Sequence, residues 1–184
     1  RIKKITTGWR GKIPFYSVTY GGGVHMIDLI TWILNELPFQ VKAESNKITT
    51  KNSSFKYDDF SVALLKFKSG KIAKISSNFG CMIPHHHSLN IFGSKSTLIH
   101  NFKKTSIYKS RNKKVKIEEI KINFKNKDKN NLLKDFVLNL MGKNKKTLVT
   151  FKEILDVMLI CFAIEKSFKS NRNVKLDYNS HRIL

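Results

Sequence analysis

The sequence predicts an α+β fold, in which an open, mostly antiparallel β-sheet carries helices packed on one face. Short β-favouring stretches follow one another with turns too short for crossover helices, which indicates antiparallel neighbours. Near residue 130 the apolar period changes from that of strands to that of helices. Because helical patterns flank the strands, we expect the helices to cover one sheet. The 184 residues fit a single domain, 1–184.

The first elements surround three glycines. Residues 13–20 favour a β-strand, and Gly21–Gly23 interrupt it. A helix is predicted from Val24 until Pro38, with an apolar stripe formed by Ile27, Ile30, Ile33 and Leu34. Alternation then predicts a strand over 39–51 and a hairpin over 59–79 that turns at Ser69 and Gly70.

The second half continues with short strands and ends in two helices. Strands are predicted over 87–93, 96–101, 105–110, 114–122 and 173–178. An amphipathic helix over 130–142 ends at Gly142 as its C-cap. A second helix, over 150–170, opens with Thr150 as N-cap and Glu153 at capping-box spacing. Because this helix is apolar over much of its surface, we expect it to be largely buried.

The formal net charge of +22 raises the question of a nucleic-acid partner. Lys, Asn and Ile are abundant, however, whereas Arg, the residue that nucleic-acid binders favour, is scarce. We therefore interpret the charge as a compositional bias and expect neither nucleic acid nor a membrane as partner. A basic α+β nucleic-acid-binding module remains the alternative. Cys81 and Cys161 predict no disulfide framework, which suits the cytoplasm.

The segment "TYGGGVHMID" (19–28) has the strand–glycine–helix order of a dinucleotide-binding loop. Glu44 even lies about 20 residues on, where an acid would hold a ribose. Met26 occupies the position of the required third glycine, however, and a meander follows instead of alternating β and α units. We therefore predict no cofactor-binding residue in this chain.

His25 and Asp28 suggest another use for the segment. They are three residues apart, so they share one helical face near the expected helix start, where free amides remain. The imidazole is suited to proton transfer, and Gly22 and Gly23 would let a substrate approach the backbone. The alternative is structural: His25 caps or packs, and Asp28 simply favours a helix start.

Four stretches in order resemble the second domain of the Gfo/Idh/MocA oxidoreductases, the family of glucose–fructose oxidoreductase and inositol dehydrogenase. They are "YGGGVHMIDLITWIL", "DDFSVALLKFKSGKIAKISSNF", "HHHSLNIFGSKSTLIHN" and "TFKEILDVMLICFAIEKSFKSNRNVKLDY". The resemblance implies the C-terminal part of a two-domain enzyme, with an N-terminal Rossmann domain that binds NAD or NADP. It also implies a sugar, sugar nucleotide or cyclitol as substrate and a homo-oligomer built through the open sheet.

By the same resemblance, the family's catalytic histidine corresponds to His25, the general acid/base during hydride transfer to or from nicotinamide. Many members carry an aspartate four residues earlier, where this chain has Gly21. Either that hydrogen-bonding partner of the sugar is missing, or Tyr20 or Asp28 replaces it. A non-catalytic assembly domain is a third possibility.

Two further places hold candidate substrate-binding residues. Arg10, beside Trp9 and Lys12, is placed to contact a sugar or the phosphate of a sugar nucleotide. The alternative is that these residues belong to a surface segment with no binding role. Adjacent histidines of "PHHHS" (84–88) would point to alternate faces in a strand, so only His85 and His87 share one side, and we expect them to line a pocket or the sheet surface. No metal site is predicted, because no Cys or carboxylate stands close by in sequence.

Overall fold

The computed structural model describes residues 2–102, 104–120, 130–143, 147–180 and 182–183. The chain divides into two compact units, residues 1–82 with 147–184 and residues 83–146. The α+β class is confirmed, and the strands pair antiparallel as predicted. They form two sheets, however, where we expected one.

Most of the strands lie between an N-terminal pair and a C-terminal pair of helices along the chain. The helices are α1 (Ile2–Thr6), α2 (Val24–Leu34), α3 (Asn130–Leu140) and α4 (Phe151–Ser170), with a 3₁₀ turn at Trp9–Gly11 and a π-turn at Thr19–Gly23. The strands are β1 (Pro38–Asn46), β2 (Phe60–Phe67), β3 (Ile72–Asn78), β4 (Leu89–Phe92), β5 (Thr97–His100), β6 (Thr105–Tyr108), β7 (Glu118–Ile120), β8 (Val174–Asp177) and β9 (Arg182–Ile183).

The sheet of the first unit has the order β3-β2-β1-β8-β9 and is covered on one face. Along β2 the residues alternate between buried and exposed, with Leu65 fully buried and Leu64 exposed. On the buried face, Ile27 of α2 and Ile160 of α4 join the same core as Leu65. The Ser167 Oγ of α4 also accepts a hydrogen bond from the Ala43 amide of β1, at 2.9 Å. Helices α2 and α4 therefore pack on one face, as predicted for the sheet.

The second unit contains the sheet β4-β5-β6-β7 and helix α3. The predicted strands over 87–93, 96–101 and 105–110 are confirmed in shorter form. The strand predicted over 114–122 is reduced to Glu118–Ile120, and residues 121–122 lie outside the described part of the chain. Helix α3 is amphipathic as predicted, and Gly142 follows it with a φ of +68°.

Two predictions about the first unit are wrong. Residues 13–20 form no strand, because Tyr16 and Val18 pack into a small core with Ile5 and Phe55 instead of joining a sheet. Helix α4 is not largely buried at its start: residues 151–155 are exposed, and burial begins only at Asp156.

The helix ends and turns follow the local sequence. Thr150 and Glu153 form the predicted capping box at the start of α4. Helix α2 ends before Pro38, because Asn35 adopts a left-handed conformation with a φ of 47°. The β2–β3 turn requires Gly70, whose φ is +86°.

Candidate functional site

The glycine segment lies inside a helix rather than in a loop. Residues Thr19–Gly23 form a π-turn that continues directly into α2. The Gly21 amide donates to the Ser17 carbonyl oxygen at 2.9 Å, and the Val24 amide donates to the Thr19 carbonyl oxygen. These two amides are thus used within the helix. The expectation of free amides beside His25 is therefore wrong, and a phosphate cradle does not fit this segment.

Two of the three glycines make room for the protein's own side chains. A Cβ at Gly21 would lie 2.8 Å from the Tyr16 Cζ, and one at Gly23 would lie 2.6 Å from the Ser77 Oγ. Both separations are shorter than van der Waals contact. Gly23 is thus needed for packing against Ser77, and its role in substrate binding stays a prediction. Gly22 lies half-buried in the same turn, and its role in substrate binding stays a prediction.

His25 and Asp28 lie on the exposed side of α2, opposite the fully buried Ile27. Their spacing places both side chains on one helical face. Trp32, seven residues after His25, continues the same stripe, and 77% of it is exposed. Sequence reasoning missed Trp32, although its seven-residue spacing from His25 was a usable signal. The stripe offers an imidazole, a carboxylate and an indole on one accessible surface.

Tyr20 packs between two aromatic rings at the start of this segment. Its ring centroid lies 5.8 Å from that of Phe15 and 5.7 Å from that of Phe162 on α4. Burial, with smaller contributions from Glu165 and Cys161, raises the pKa of the Tyr20 phenol. The phenol therefore stays protonated at neutral pH and remains capable of donating a hydrogen bond.

Glu165 on α4 is a buried carboxyl group that sequence reasoning also missed. Only 6% of the residue is exposed, and the Ser17 hydroxyl donates a hydrogen bond to it. Burial raises the pKa of the Glu165 carboxyl above its usual range, although Ser17 and Lys169 act in the opposite direction. A signal was present in "ICFAIEKS", where one acid follows an apolar run.

A cavity of about 360 Å³ lies beside Glu165. Its lining includes hydroxyl, carboxyl, ammonium and aromatic side chains, among them Ser17, Ser61, Asp58, Glu165, Lys169 and Phe15. The Lys169 Nζ lies 3.8 Å from the Glu165 carboxylate and 5.4 Å from the Phe15 ring centroid. The cavity has a mixed polar and apolar lining and adjoins the segment that precedes the π-turn.

The remaining candidates lie elsewhere in the chain. The Arg10 guanidinium stacks over the Trp9 ring, 4.4 Å from its centroid, in the 3₁₀ turn of the first unit. His85 and His87 belong to the second unit, with ring centroids 4.9 Å apart. The expectation that they share one side of a strand is wrong, because β4 begins only at Leu89 and the segment before it is irregular. Within the described ranges, no group of three or more His, Cys, Asp and Glu side chains is arranged to hold a metal ion.

The structure thus brings Tyr20, Gly22, Gly23, His25 and Asp28 together on one continuous helical segment. Arg10 lies in the same compact unit on a separate turn, whereas His85 and His87 lie in the other unit. No described helix is both long enough and apolar enough to cross a bilayer.

A family model described as the GFO/IDH/MocA C-terminal domain matches residues 6–99. No match to a curated protein was found. The matched range includes the π-turn, α2, the first three strands and the β4–β5 segment up to Ile99.

Solved structures with a similar fold include oxidoreductases and an NAD-binding protein by name. An NAD-binding protein from Listeria innocua aligns with a TM-score of 0.68 at 19% identity, over 90% of this chain and 49% of that one. An aldose-aldose oxidoreductase from Caulobacter crescentus aligns with a TM-score of 0.66 at 16% identity, over 84% and 46%. A UDP-N-acetylglucosamine 3-dehydrogenase from Acidithiobacillus ferrooxidans aligns with a TM-score of 0.63 at 15% identity, over 80% and 45%. The chain spans about half the length of these structures.

Proposed function

Since the chain belongs to the GFO/IDH/MocA C-terminal domain family, we propose that it is the substrate-binding and oligomerisation domain of an NAD(P)-dependent oxidoreductase. Its substrate is a sugar, a sugar nucleotide or a cyclitol. The names of two structural neighbours, an aldose-aldose oxidoreductase and a UDP-sugar dehydrogenase, support this substrate class. The observation that carries the proposal is the exposed His25 on a helix within the matched range.

In this proposal the His25 imidazole acts as general acid/base on the reacting hydroxyl or carbonyl group. During oxidation the imidazole accepts the hydroxyl proton while hydride leaves the same carbon, and reduction reverses both transfers. Asp28 lies on the same face of α2 as His25, and Tyr20 lies in the π-turn before α2. Either residue therefore replaces the aspartate that many relatives carry at the position of Gly21. Tyr20 donates a hydrogen bond, whereas Asp28 accepts one.

The cofactor belongs to another part of the protein in this proposal. The π-turn uses the Gly21 and Val24 amides internally, so the glycine segment does not suit a dinucleotide phosphate. We therefore place NAD or NADP in an N-terminal Rossmann domain, where the nicotinamide supplies or accepts the hydride. Because buried Cys161 and exposed Cys81 are both free thiols, we place the protein in the reducing cytoplasm.

The experiment compares His25→Ala with Thr31→Ala in the full-length protein. Thr31 is a matched control on the same helix, where its hydroxyl bonds only to the Asp28 carbonyl among the described contacts. Oxidation of aldoses, cyclitols and UDP-sugars with NAD⁺ or NADP⁺ is followed by absorbance of the reduced cofactor. We expect His25→Ala to lose at least about 100-fold in kcat/KM, because general acid/base catalysis contributes that much. Thr31→Ala stays near the wild type.

Two outcomes would contradict the proposal. Full turnover in His25→Ala would favour a non-catalytic assembly domain. Micromolar NADH or NADPH binding by the 184-residue chain alone, measured by cofactor fluorescence, would contradict the division between cofactor and substrate domains.

A further inference from the structure

A buried carboxyl group on α4 lies against the turn that precedes His25. Glu165 accepts a hydrogen bond from the Ser17 hydroxyl, and the two residues are 148 positions apart in the chain. Both are buried, with 6% of Glu165 and 7% of Ser17 exposed. Hydrogen bonds to charged groups are among the stronger ones, especially away from water. This contact therefore ties the chain just before the π-turn to helix α4.

Ser17 also forms hydrogen bonds with the π-turn. Its hydroxyl oxygen accepts a hydrogen bond from the Thr19 amide at 3.0 Å, and its carbonyl oxygen accepts one from the Gly21 amide at 2.9 Å. The Thr19 hydroxyl also lies 3.4 Å from the Ser61 hydroxyl of β2. The first half of the π-turn is thus held by Ser17, which is itself held by Glu165.

The geometry of the π-turn determines where His25 points. A π-turn closes its hydrogen bonds five residues apart, whereas an α-turn closes them four apart. The Val24-to-Thr19 bond spans five residues, whereas the Gly21-to-Ser17 bond spans four. If the Val24 amide bonded four residues back instead, α2 would rotate by roughly 100° relative to the preceding chain, since an α-helix completes a turn in about 3.6 residues. His25, two residues after the π-turn, would then face another direction or force α2 to lose its core contacts.

We infer that Glu165 is a positioning residue: its buried carboxyl group holds Ser17, which fixes the π-turn and thereby the direction of the His25 side chain. The inference rests on the proposed role of His25 for its functional meaning. The groups facing Glu165 besides Ser17 and Thr19 are Lys169 and Cys161 from α4, Asp58 before β2, and Tyr20 from the π-turn. The Lys169 ammonium, 3.8 Å away, is the charge that complements it.

The structure offers a matched control on the same helix. Asp156 is also a buried acid on α4, with 4% exposed, and the Lys152 ammonium contacts it at 2.6 Å. It lies nine residues before Glu165, about 13 Å along the helix axis. Both carboxyls are buried on the same helix, but only Glu165 contacts the π-turn segment among the described hydrogen bonds.

The experiment measures amide hydrogen exchange at Thr19 and Gly21 by NMR, together with the ring shifts of His25. Glu165→Ala and Ser17→Ala are compared with Asp156→Ala in the 184-residue chain. We expect both anchor variants to speed exchange at these two amides at least about tenfold and to move the His25 signals. Glu165→Gln keeps an acceptor oxygen for Ser17, so it should restore slow exchange.

Equal acceleration in Glu165→Ala and Asp156→Ala, or unchanged exchange in both anchor variants, would overturn the inference. Ser17→Ala removes only one hydroxyl group, so the test holds even where Glu165→Ala fails to fold. None of these measurements uses turnover. Failure of the catalytic role of His25 would therefore appear in the full-length assay and leave the exchange result intact.

Discussion

Gly21 shows at the scale of one residue how packing rather than ligand space selects a glycine. Its missing Cβ leaves room for the ring of Tyr16, which is buried in the small core with Phe55 and Phe79. The position four residues before His25, where the resemblance implies an acid in many relatives, is therefore closed by a neighbouring tyrosine. An aspartate at this position would require Tyr16 to move.

We predict that Gly21→Ala destabilises the fold by about 1–3 kcal/mol, the usual effect of overpacking. Combining it with Tyr16→Ala should cost less than the sum of the two single variants, because the shortened side chain removes the clash. Urea unfolding of the four proteins measures this coupling. Strict additivity would show that Tyr16 is not the obstacle.

The individual residues also show what the sequence could reveal about the site. The three-residue spacing of His25 and Asp28 was enough to place both on one face of a helix. Glu165 could not be paired with Ser17 in the same way, because 148 residues separate them and only tertiary packing joins them. The role of Gly21 was hidden for the same reason, since the Tyr16 ring folds back over it.

At the scale of elements, Glu36 links two turns that are distant in sequence. Its carboxylate accepts hydrogen bonds from the Ser69 amide at 3.0 Å, from the Ser69 hydroxyl at 2.6 Å and from the Lys71 ammonium at 2.9 Å. These contacts join the α2–β1 connection to the β2–β3 turn. They lower the pKa of the Glu36 carboxyl to about 2, with the Ser69 hydroxyl as the largest cause.

The pKa of Glu36 predicts the direction of a pH effect. A carboxyl whose pKa is lower in the folded state stabilises the fold above its unfolded pKa, and that contribution is lost as the pH falls through the folded pKa. The unfolded reference is 4.5, so the window runs from there down to about 2. We expect the stability difference between wild type and Glu36→Gln to shrink across this window in urea titrations. A difference that does not change with pH would contradict the role of the carboxylate.

The elements themselves were predicted with uneven success for physical reasons. Hairpin β2–β3 and helix α2 have strong local periodicity, and Thr150 with Glu153 marks the start of α4. The stretch 13–20 has high β-propensity but pairs with none of the described strands, so it packs by its side chains and enters a helix. A π-turn leaves no periodic pattern of its own in sequence, which explains why the glycines of Thr19–Gly23 indicate only a break.

At the scale of the whole molecule, the exposed face of the first sheet is rich in lysine. Across the strands, Leu64 lies between Lys42 and Lys74, and Gln40 lies between Lys66 and Lys175. Leu64 and Ile72 add apolar surface, with 45% and 68% exposed. If two copies pair through this face, as the proposed homo-oligomer requires, apolar burial favours pairing while lysine repulsion opposes it.

Salt should therefore strengthen the proposed self-association, because it screens the repulsion between the lysines without weakening apolar burial. We expect the dimer dissociation constant, measured by sedimentation, to fall as sodium chloride is raised. Lys74→Gln should lower the dissociation constant as added salt does. Lys116 is an exposed lysine of the second unit, so Lys116→Gln should leave the dissociation constant unchanged. Dissociation on adding salt would contradict pairing through this face.

The same salt series separates the nucleic-acid alternative, since binding to phosphates weakens steeply as salt rises. We expect no retention on an unrelated DNA duplex at about 0.15 M salt. Retention with a steep salt slope would favour a nucleic-acid-binding module.

The π-turn also changes how this chain should be aligned with its relatives. Val24 reaches back five residues, to Thr19, for its hydrogen bond, so this turn holds one residue more than an α-helical turn. Counting five residues back from His25, as in a π-turn, gives Tyr20, whereas counting four residues back, as in an α-helix, gives Gly21. An alignment that allows a one-residue insertion here compares the relatives' aspartate with a phenol, a hydrogen-bond donor at neutral pH.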